Sequence, residues 1–279
     1  MMKFGFVTCV QLGLSCLETI YEIDGYINLA ITLNDDQSRK KSGRIYLDPF
    51  CKKHSIPLHK SSHVNNQDVI DIIKKFEIDW LFIIGWSQIA SEEVLKAPRK
   101  GVIGIHPTLL PEGRGRAAIP WAIIKRLKKT GVTMFKLDAG VDTGDIINQI
   151  EIPLNNKMDA TELYDLVNQV HIELMKSTFP LLANNTIQLV PQNNKLATEW
   201  PGRKPEDGQI DLNGSVHDAE CLVRAVTRPY PGAFLHQNDK KLIIWSASVS
   251  KEKPEGELNK EYLKFHDGFL ILKETEIAG

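Results

Sequence analysis

Short apolar runs alternate with segments of helical spacing along the first two hundred residues. The apolar runs lie at residues 3–10, 27–33, 80–84 and 102–105. The clearest helix begins near Asp68, where apolar side chains recur at i, i+3, i+4 and i+7 on one face: Val69, Ile72, Ile73 and Phe76. Apolar runs of this kind are typical of parallel strands that helices cover on both faces. The pattern therefore predicts an α/β fold with an open, mostly parallel twisted sheet, whose ligands bind beyond the carboxyl ends of the strands.

The pattern changes beyond residue 130. Two apolar stretches, 131–137 and 146–154, flank a segment rich in turn residues, which predicts two strands joined by a loop. A long amphipathic helix is predicted at 159–182 and is followed by a polar stretch. Beyond residue 200 the predicted strands are short and are separated by Lys, Glu, Pro and Gly; they lie at 232–236, 242–248 and 269–272. We therefore expect an α/β domain at 1–195 and a small β-rich, barrel-like domain at 196–279.

Composition narrows the class of protein. The chain is 42% apolar and 25% charged with a net charge of −1, which gives no general attraction to nucleic acid or to anionic lipid. No apolar stretch approaches the ~20 residues that span a bilayer, and the first residues do not resemble a signal peptide. The four cysteines form no C-x-x-C pair, which indicates free thiols in a reducing compartment. We interpret the protein as cytoplasmic, with no membrane partner.

Two segments contain residue types suited to catalysis. His106 ends a buried run and precedes a loop with proline at both ends, and Asp142 lies in the turn-rich segment 138–145. A histidine in such a place is as readily a structural residue that bonds a nearby turn. The aspartate is likewise found in ordinary turns. The spacing does not show whether the two side chains meet.

The two segments together resemble the folate-dependent formyltransferase family, which includes methionyl-tRNA, glycinamide-ribonucleotide and nucleotide-linked amino-sugar formyltransferases. The resemblance rests on His106-Pro-Thr-Leu-Leu-Pro111 with Arg114-Gly115, and on Val141-Asp142-Thr143-Gly144. Residues 200–208 and 228–234 look like the family's C-terminal region, so the resemblance covers nearly the whole chain. It implies a Rossmann-like formyltransferase domain at 1–195, followed by the small β-rich domain.

The resemblance also implies a reaction. A primary amine attacks the formyl carbon of 10-formyltetrahydrofolate, protonated His106 with Asp142 stabilises the oxyanion, and no metal is needed. Family members usually have an asparagine two residues before the histidine, where this chain has Gly104. Either a backbone N–H or water replaces the asparagine, or the enzyme is weakened. An uncompensated loss of one oxyanion donor slows turnover ~100-fold or more.

The same resemblance implies a folate pocket. Its expected residues lie in three loops and are Trp86, Gln88, Ile89, Ala90, Leu109, Leu110, Pro111, Arg116, Asp138 and Val141. Core packing explains Trp86 and Ile89 equally well, and Arg116 can also be a solvated loop charge. The basic stretch 39–44 is interpreted as a solvated loop, with contact to acceptor phosphates as the alternative.

Two features of the chain bear on the acceptor: the net charge beyond residue 200 and the presence of a second domain. From Trp200 onward the chain has 11 Lys and Arg against 13 Asp and Glu, a net charge of −2, whereas a domain that binds tRNA needs a positive surface. Glycinamide-ribonucleotide enzymes do not normally carry a second domain. What remains resembles the sugar N-formyltransferases of the family, and this resemblance implies a nucleotide-linked amino sugar as acceptor, no nucleic-acid partner, and a homodimer, a state common among the sugar enzymes. The alternatives are methionyl-tRNA or another amine, and a folate-binding protein that has lost catalysis.

Overall fold

The structure is a computed structural model that describes residues 1–38, 44–237, 240–253 and 261–278. Its backbone contacts divide the chain into two compact units. Unit 1 comprises Met1–Arg114, Gly131–Ile152 and Val167–Glu199, and unit 2 comprises Gly115–Thr130, Pro153–Leu166 and Trp200–Gly279. The division between residues 195 and 196 stays a prediction from the sequence.

Strands and helices alternate through the first half of the chain. In order they are β1 (Phe4–Val7), α1 (Gln11–Glu22), β2 (Leu29–Leu33), α2 (Asp35–Ser38), α3 (Asp48–His54), β3 (Leu58–Ser61), α4 (Gln67–Lys75), β4 (Trp80–Ile83), α5 (Glu92–Lys96), β5 (Gly101–His106) and β6 (Arg114–Gly115). The second half continues with α6 (Ala118–Ile124), β7 (Lys129–Lys136), β8 (Ile146–Pro153), α7 (Ala160–Ala183), β9 (Glu199–Trp200), α8 (Val216–Val226), β10 (Ala233–Gln237), β11 (Lys240–Ser250), β12 (Tyr262–Phe265) and β13 (Gly268–Ala278).

A seven-stranded sheet of order β3-β2-β1-β4-β5-β7-β8 forms the frame of unit 1. The strands β3, β2, β1, β4 and β5 pair in parallel, and β7 pairs with β5 in the antiparallel direction. Every residue of β1, β2 and β4 is buried, because helices cover both faces of the parallel part. The predicted α/β fold with a mostly parallel sheet is confirmed.

Helix α4 covers one face of this sheet, as its apolar spacing predicts. Val69 and Ile73 are fully buried, and Ile72 and Phe76 are partly buried against the same core cluster. That cluster also contains Val7, Leu29, Ile31, Leu81 and Val102 from four neighbouring strands. Burial of such side chains contributes about 1.5–3 kcal/mol each, so this face fixes the positions of the strands that end at the candidate site.

The register of β5 and β7 brings together residues from both strands. His106 lies opposite Thr133, and Gly104 lies opposite Phe135. The two strands predicted at 131–137 and 146–154 are β7 and β8, and they are neighbours in the sheet. A Cβ atom on Gly144 would lie 1.7 Å from the carbonyl oxygen of Lys136. Only glycine therefore fits where the chain enters β8.

Unit 2 contains a four-stranded antiparallel sheet of order β10-β11-β13-β12, which confirms the predicted β-rich region. The sequence interpretation missed α8 and made β11 and β13 too short, since each has 11 residues. Helix α8 begins where the hydroxyl of Ser215 accepts a hydrogen bond from the backbone N–H of His217, and Asp267 accepts one from Val216.

Two expectations from the sequence concern the cysteines and membrane-spanning segments. All four cysteines are buried and free. In the part of the chain that the structure describes, no helix combines the length and the apolar character needed to cross a membrane.

Helix α7 contains one buried histidine. His171 is 2% exposed, and its Nδ1 donates a hydrogen bond of 2.7 Å to the carbonyl oxygen of Val167. Loss of water around the imidazole lowers its pKa from 6.5 to about 4, and the bond to Val167 offsets only part of that shift. His171 is therefore neutral in the folded protein at pH values where the unfolded chain binds a proton.

The free energy of unfolding should consequently fall as the pH drops from about 6.5 towards 4. The contribution of His171 approaches a slope of about 1.4 kcal/mol per pH unit and vanishes above pH 6.5. Urea unfolding between pH 4.5 and 7.5 measures this, with His171→Gln expected to have a shallower slope than the unchanged protein. Gln at the exposed position His217 is the matched control and should keep the steep slope; equal slopes for all three proteins would contradict the assignment.

Candidate active site

His106 is the last residue of β5 and is 8% exposed. Its Nε2 lies 2.8 Å from the carbonyl oxygen of Gly113. A carbonyl oxygen can only accept, so Nε2 carries the hydrogen of this bond. The other ring nitrogen, Nδ1, is therefore the atom that can gain or lose a proton.

Asp142 lies in the loop that joins β7 to β8, and its Oδ2 is 3.6 Å from Nδ1 of His106. The structure thus brings together the two residues whose meeting the spacing left open. The backbone of Asp142 has a φ of +54°, the left-handed region in which aspartate is one of the few tolerated side chains. A carboxylate at this distance stabilises a positive charge on the imidazole.

The side chains of Thr133 and Gln149 fix the loop that follows His106. The hydroxyl of Thr133, which is fully buried, donates to the carbonyl oxygen of Thr108 at 2.7 Å and accepts from the backbone N–H of Leu110 at 3.1 Å. The amide of Gln149 donates to Thr133 Oγ1 at 2.7 Å and to the carbonyl oxygen of Leu110 at 2.9 Å. These bonds hold the chain just beyond the histidine.

Thr198 fixes the later part of the same loop. Its hydroxyl accepts a hydrogen bond from the backbone N–H of Gly113 at 2.8 Å. Its carbonyl oxygen accepts one from the backbone N–H of Arg114 at 2.9 Å. The carbonyl of Gly113 therefore faces His106 from a fixed backbone. Sequence reasoning missed Thr133, Gln149 and Thr198; the only signal was a polar side chain inside, or next to, an otherwise apolar stretch.

Gly104 lies on the same side of β5 as His106, two residues earlier. A Cβ atom there would be 2.7 Å from Cδ2 of Leu137 and 3.4 Å from the ring of Phe135. The space that a side chain at position 104 would enter is therefore taken by Leu137. An aliphatic group stands where the resemblance places an asparagine.

The loop after β4 contains four of the expected folate residues, and hydrogen bonds to the segment at Val64 and Asn65 hold it in place. Gln88 Oε1 accepts from the backbone N–H of Val64 at 2.8 Å and from Trp86 Nε1 at 3.1 Å. The amide of Asn65 donates to the carbonyl oxygen of Ile89 at 3.0 Å. Trp86 and Ala90 pack partly against the core, whereas the side chain of Ile89 is 79% exposed. The side chain of Ile89 therefore does not pack in the core, whereas part of the Trp86 side chain does.

The remaining expected folate residues have different surroundings. Leu110 is 2% exposed, so its side chain belongs to the core, while Leu109 and Pro111 are partly exposed. Asp138 Oδ1 accepts from the backbone N–H of Gly140 and from the hydroxyl of Thr143 inside its own loop. The side chain of Val141 is 57% exposed. Arg116 is exposed and belongs to unit 2.

The basic stretch 39–44 is described only at its last residue, and 39–43 lie outside the described residues. The guanidinium of Arg44 donates to the carbonyl oxygens of Leu33 and Asn34, at 2.6 and 3.0 Å, and its side chain is buried. Arg44 therefore fixes the end of β2. Among residues 1–38, 44–237, 240–253 and 261–278, no three His, Cys, Asp or Glu side chains gather closely enough to hold a metal ion.

Comparison with known proteins gives consistent matches along the chain. Residues 28–178 match the formyl transferase family, and residues 203–277 match the formyl transferase C-terminal domain. The chain is 31% identical over 288 residues to a methionyl-tRNA formyltransferase of Ruminiclostridium cellulolyticum, with 99% of this chain and 92% of that protein covered. It is 32% identical over 249 residues to the bifunctional polymyxin resistance protein ArnA of Wigglesworthia glossinidia brevipalpis, which covers 89% of this chain but only 38% of ArnA.

A solved structure is similar over the whole length. The sugar 3N-formyl transferase WlaRD, in the presence of dTDP and 5-N-formyl-THF, matches with a TM-score of 0.71 over 99% of this chain and 98% of that one. The sequence identity is 19%, so this likeness shows the fold.

The contact between position 104 and Leu137 leads to a test by substitution. Gly104→Asn should lower the free energy of unfolding by about 1–3 kcal/mol, because the new side chain overlaps Leu137. Leu137→Ala in the same chain should restore part of that loss, so the double variant should be more stable than the sum of the two single changes. Denaturant unfolding of the three variants measures this. Additive changes would show that Leu137 does not occupy the space.

Proposed function

Because the chain belongs to the formyl transferase family, we propose that it moves the formyl group of 10-formyltetrahydrofolate to the amine of a nucleotide-linked amino sugar. Folate-dependent one-carbon transfer is the chemistry of this family. The observation that carries the proposal for the site is the pair formed by His106 Nδ1 and Asp142 Oδ2, 3.6 Å apart at the end of β5.

His106 and Asp142 have complementary parts in the proposed reaction. The amine nitrogen forms a bond to the formyl carbon, the bond from that carbon to the folate nitrogen breaks, one proton leaves the amine, and one reaches the folate nitrogen. Protonated His106 stabilises the negative charge on the formyl oxygen with the positive charge of its ring, since Nε2 donates to Gly113 and Nδ1 faces Asp142. Asp142 stabilises the imidazolium and, with His106 or an ordered water, shares the proton transfers.

The loop after β4 suits a flat heterocyclic donor. The folate supplies the formyl group, and its ring needs a fixed backbone with an apolar surface. Ile89 offers an exposed aliphatic side chain, and the bonds of Asn65 and Gln88 hold the backbone around it. We therefore assign this loop to the folate ring.

The charges of unit 2 favour a small acceptor. Three of its arginines each face a carboxylate at 2.5–2.8 Å; the pairs are Arg126–Asp218, Arg224–Glu220 and Arg228–Glu274. Cations with such partners add little to the attraction of an RNA backbone, which depends on uncompensated positive charge. The similarity to WlaRD, a sugar 3N-formyl transferase whose structure was determined with dTDP, supports a nucleotide-linked sugar.

Methionyl-tRNA is the second candidate acceptor. It is favoured by the 31% identity to a methionyl-tRNA formyltransferase that covers 99% of this chain. The net negative charge beyond residue 200 and the arginines paired with carboxylates argue against it. A measurement of turnover separates the two acceptors.

An acceptor panel tests the proposal directly. Purified protein with 10-formyltetrahydrofolate should release tetrahydrofolate with one or more nucleotide-linked amino sugars and should leave methionyl-tRNA unformylated. The readouts are the absorbance of the released folate and the mass of the product, which is 28 Da heavier for each formyl group that replaces a hydrogen. Turnover with methionyl-tRNA alone would establish the second candidate. Folate binding with no turnover for any amine would indicate a protein that has lost catalysis.

Substitution of the catalytic pair tests the site. His106→Ala and Asp142→Asn should each lower kcat about 10²- to 10⁴-fold, because each removes a group that acts on the transition state. The dissociation constant of the folate should change less than about threefold. The exposed residues provide matched controls, His217→Ala and Asp71→Asn, which should retain full turnover. Unchanged kcat in either site variant would remove that residue from the mechanism.

A further inference from the structure

Gln192 connects the two loops of the proposed site. Its segment lies beside the start of β8, where Val190 and Ile146 exchange two backbone hydrogen bonds of 2.9 Å. The side-chain amide then points between the loop after β5 and the loop that contains Asp142. The sequence interpretation treated residues 184–196 only as a polar stretch that ends a domain.

All four hydrogen-bonding positions of the Gln192 amide are used. Nε2 donates to the carbonyl oxygens of Asp142 and Gly144, at 2.8 and 2.7 Å. Oε1 accepts from Nε and Nη2 of Arg114, at 3.1 and 2.8 Å. Because arginine can only donate and a carbonyl can only accept, these partners define the orientation of the amide without ambiguity.

Arg114 anchors the other end of this connection. It is 6% exposed, and its guanidinium also donates to Asn194 Oδ1 at 2.7 Å. The residue before it, Gly113, supplies the carbonyl oxygen that binds Nε2 of His106. A continuous set of bonds therefore runs from the partner of His106, through Arg114 and Gln192, to the backbone of Asp142.

The loop of Asp142 needs such an external hold. It starts next to β5 at the level of Val102, whose carbonyl oxygen accepts from the backbone N–H of Leu137 at 2.8 Å. His106 is four residues further along β5, about 13 Å away at ~3.3 Å per residue. The loop must therefore fold back along the strand, and Asp142 does so with a left-handed φ of +54°, a region that only glycine adopts without cost and in which aspartate is tolerated.

We propose that Gln192 is a positioning residue, which keeps the Asp142 carboxylate facing Nδ1 of His106 by holding the carbonyl groups of Asp142 and Gly144. This inference rests on the proposed roles of His106 and Asp142. Gln192 acts through the backbone of the loop, so its loss should lower the rate of the chemical step more than the affinity for folate. A displacement of about 1 Å at a reacting group can cost 10²-fold in rate.

Gln192→Glu is the sharpest variant, because a carboxylate still accepts from Arg114 but cannot donate to the two carbonyl oxygens. Gln192→Met removes all four bonds and serves as the second variant. The matched control is Gln209→Glu, the same chemical change at an exposed glutamine. With the acceptor identified by the panel, we expect kcat to fall 10- to 100-fold in both Gln192 variants and the KM for 10-formyltetrahydrofolate to change less than threefold.

A spectroscopic readout requires no acceptor. In protein labelled with ¹⁵N-histidine, the ring signals of His106 are identified by their loss in His106→Ala. Asp142→Asn should shift them, and Gln192→Glu should shift them in the same direction, while Gln209→Glu leaves them in place. Unchanged His106 signals and kcat in Gln192→Glu, with both altered in Asp142→Asn, would overturn the positioning role and leave the proposed function intact.

Two other outcomes also decide the matter. If His106→Ala and Asp142→Asn retain full turnover, the proposed catalytic pair fails and the role of Gln192 fails with it. If both Gln192 variants are unfolded at the assay temperature, Gln192 is a residue of fold stability and the inference is wrong.

Discussion

Antiparallel pairing of β5 with β7 at the edge of a parallel sheet sets the geometry from which the proposed site is built. Its register places Thr133 opposite His106, and the Thr133 hydroxyl then reaches the loop that follows the histidine. The same pairing sends the chain away from His106, so that the loop beyond β7 has to return. Slippage by one residue would turn Thr133 to the other face of the sheet and remove this support. The parallel strands and their helices serve to keep that register fixed.

Polar side chains that bond to residues distant in sequence hold the two loops. The side chains of Thr133, Gln149, Gln192 and Arg114 bond to one another or to backbone groups, and every one of these partners is at least 16 residues away in sequence. A buried hydrogen-bonding group that is left unpaired lowers the stability of the fold by about 1–3 kcal/mol. Removal of one of these side chains would leave its partners unpaired. Such networks are stiff because the opening of any one bond raises the free energy of the folded protein. The proposed roles of His106 and Asp142, whose side chains are 3.6 Å apart, require this stiffness.

The sequence pattern predicted the elements whose signal is local. Fully apolar runs indicated β1, β2, β4 and β5, the spacing in α4 indicated its buried face, and the position of His106 at the end of a run followed from them. Helix α8 was missed because its segment, with His217, Asp218 and Glu220 among its apolar residues, resembles a polar loop. The Gln192 contacts join residues 48–78 positions apart, and no periodicity reports a hydrogen bond at that range.

His106 and Asp142, the proposed catalytic pair, were predicted for a different reason. A histidine and an aspartate 36 positions apart carry no sign of proximity by themselves, and only the resemblance of two motifs to one family indicated that they act together. The fold supplies what the motifs lack, because it shows which nitrogen of His106 faces Asp142 and which backbone groups hold each residue. At Gly104 the motif showed only that the family's usual asparagine is absent. The structure adds that Leu137 occupies the space that a side chain at this position would enter.

Leu137 also bears on the competition between amine and water. An alkyl group neither donates nor accepts hydrogen bonds, so Leu137 offers no anchor for a water molecule beside position 104. An amide at that place would offer both a donor and an acceptor. Hydrolysis of a formyl donor requires an oriented water, whereas an amine is brought by the rest of its own molecule. In the proposed reaction, an aliphatic side chain beside position 104 therefore favours transfer of the formyl group to the amine over hydrolysis of the donor.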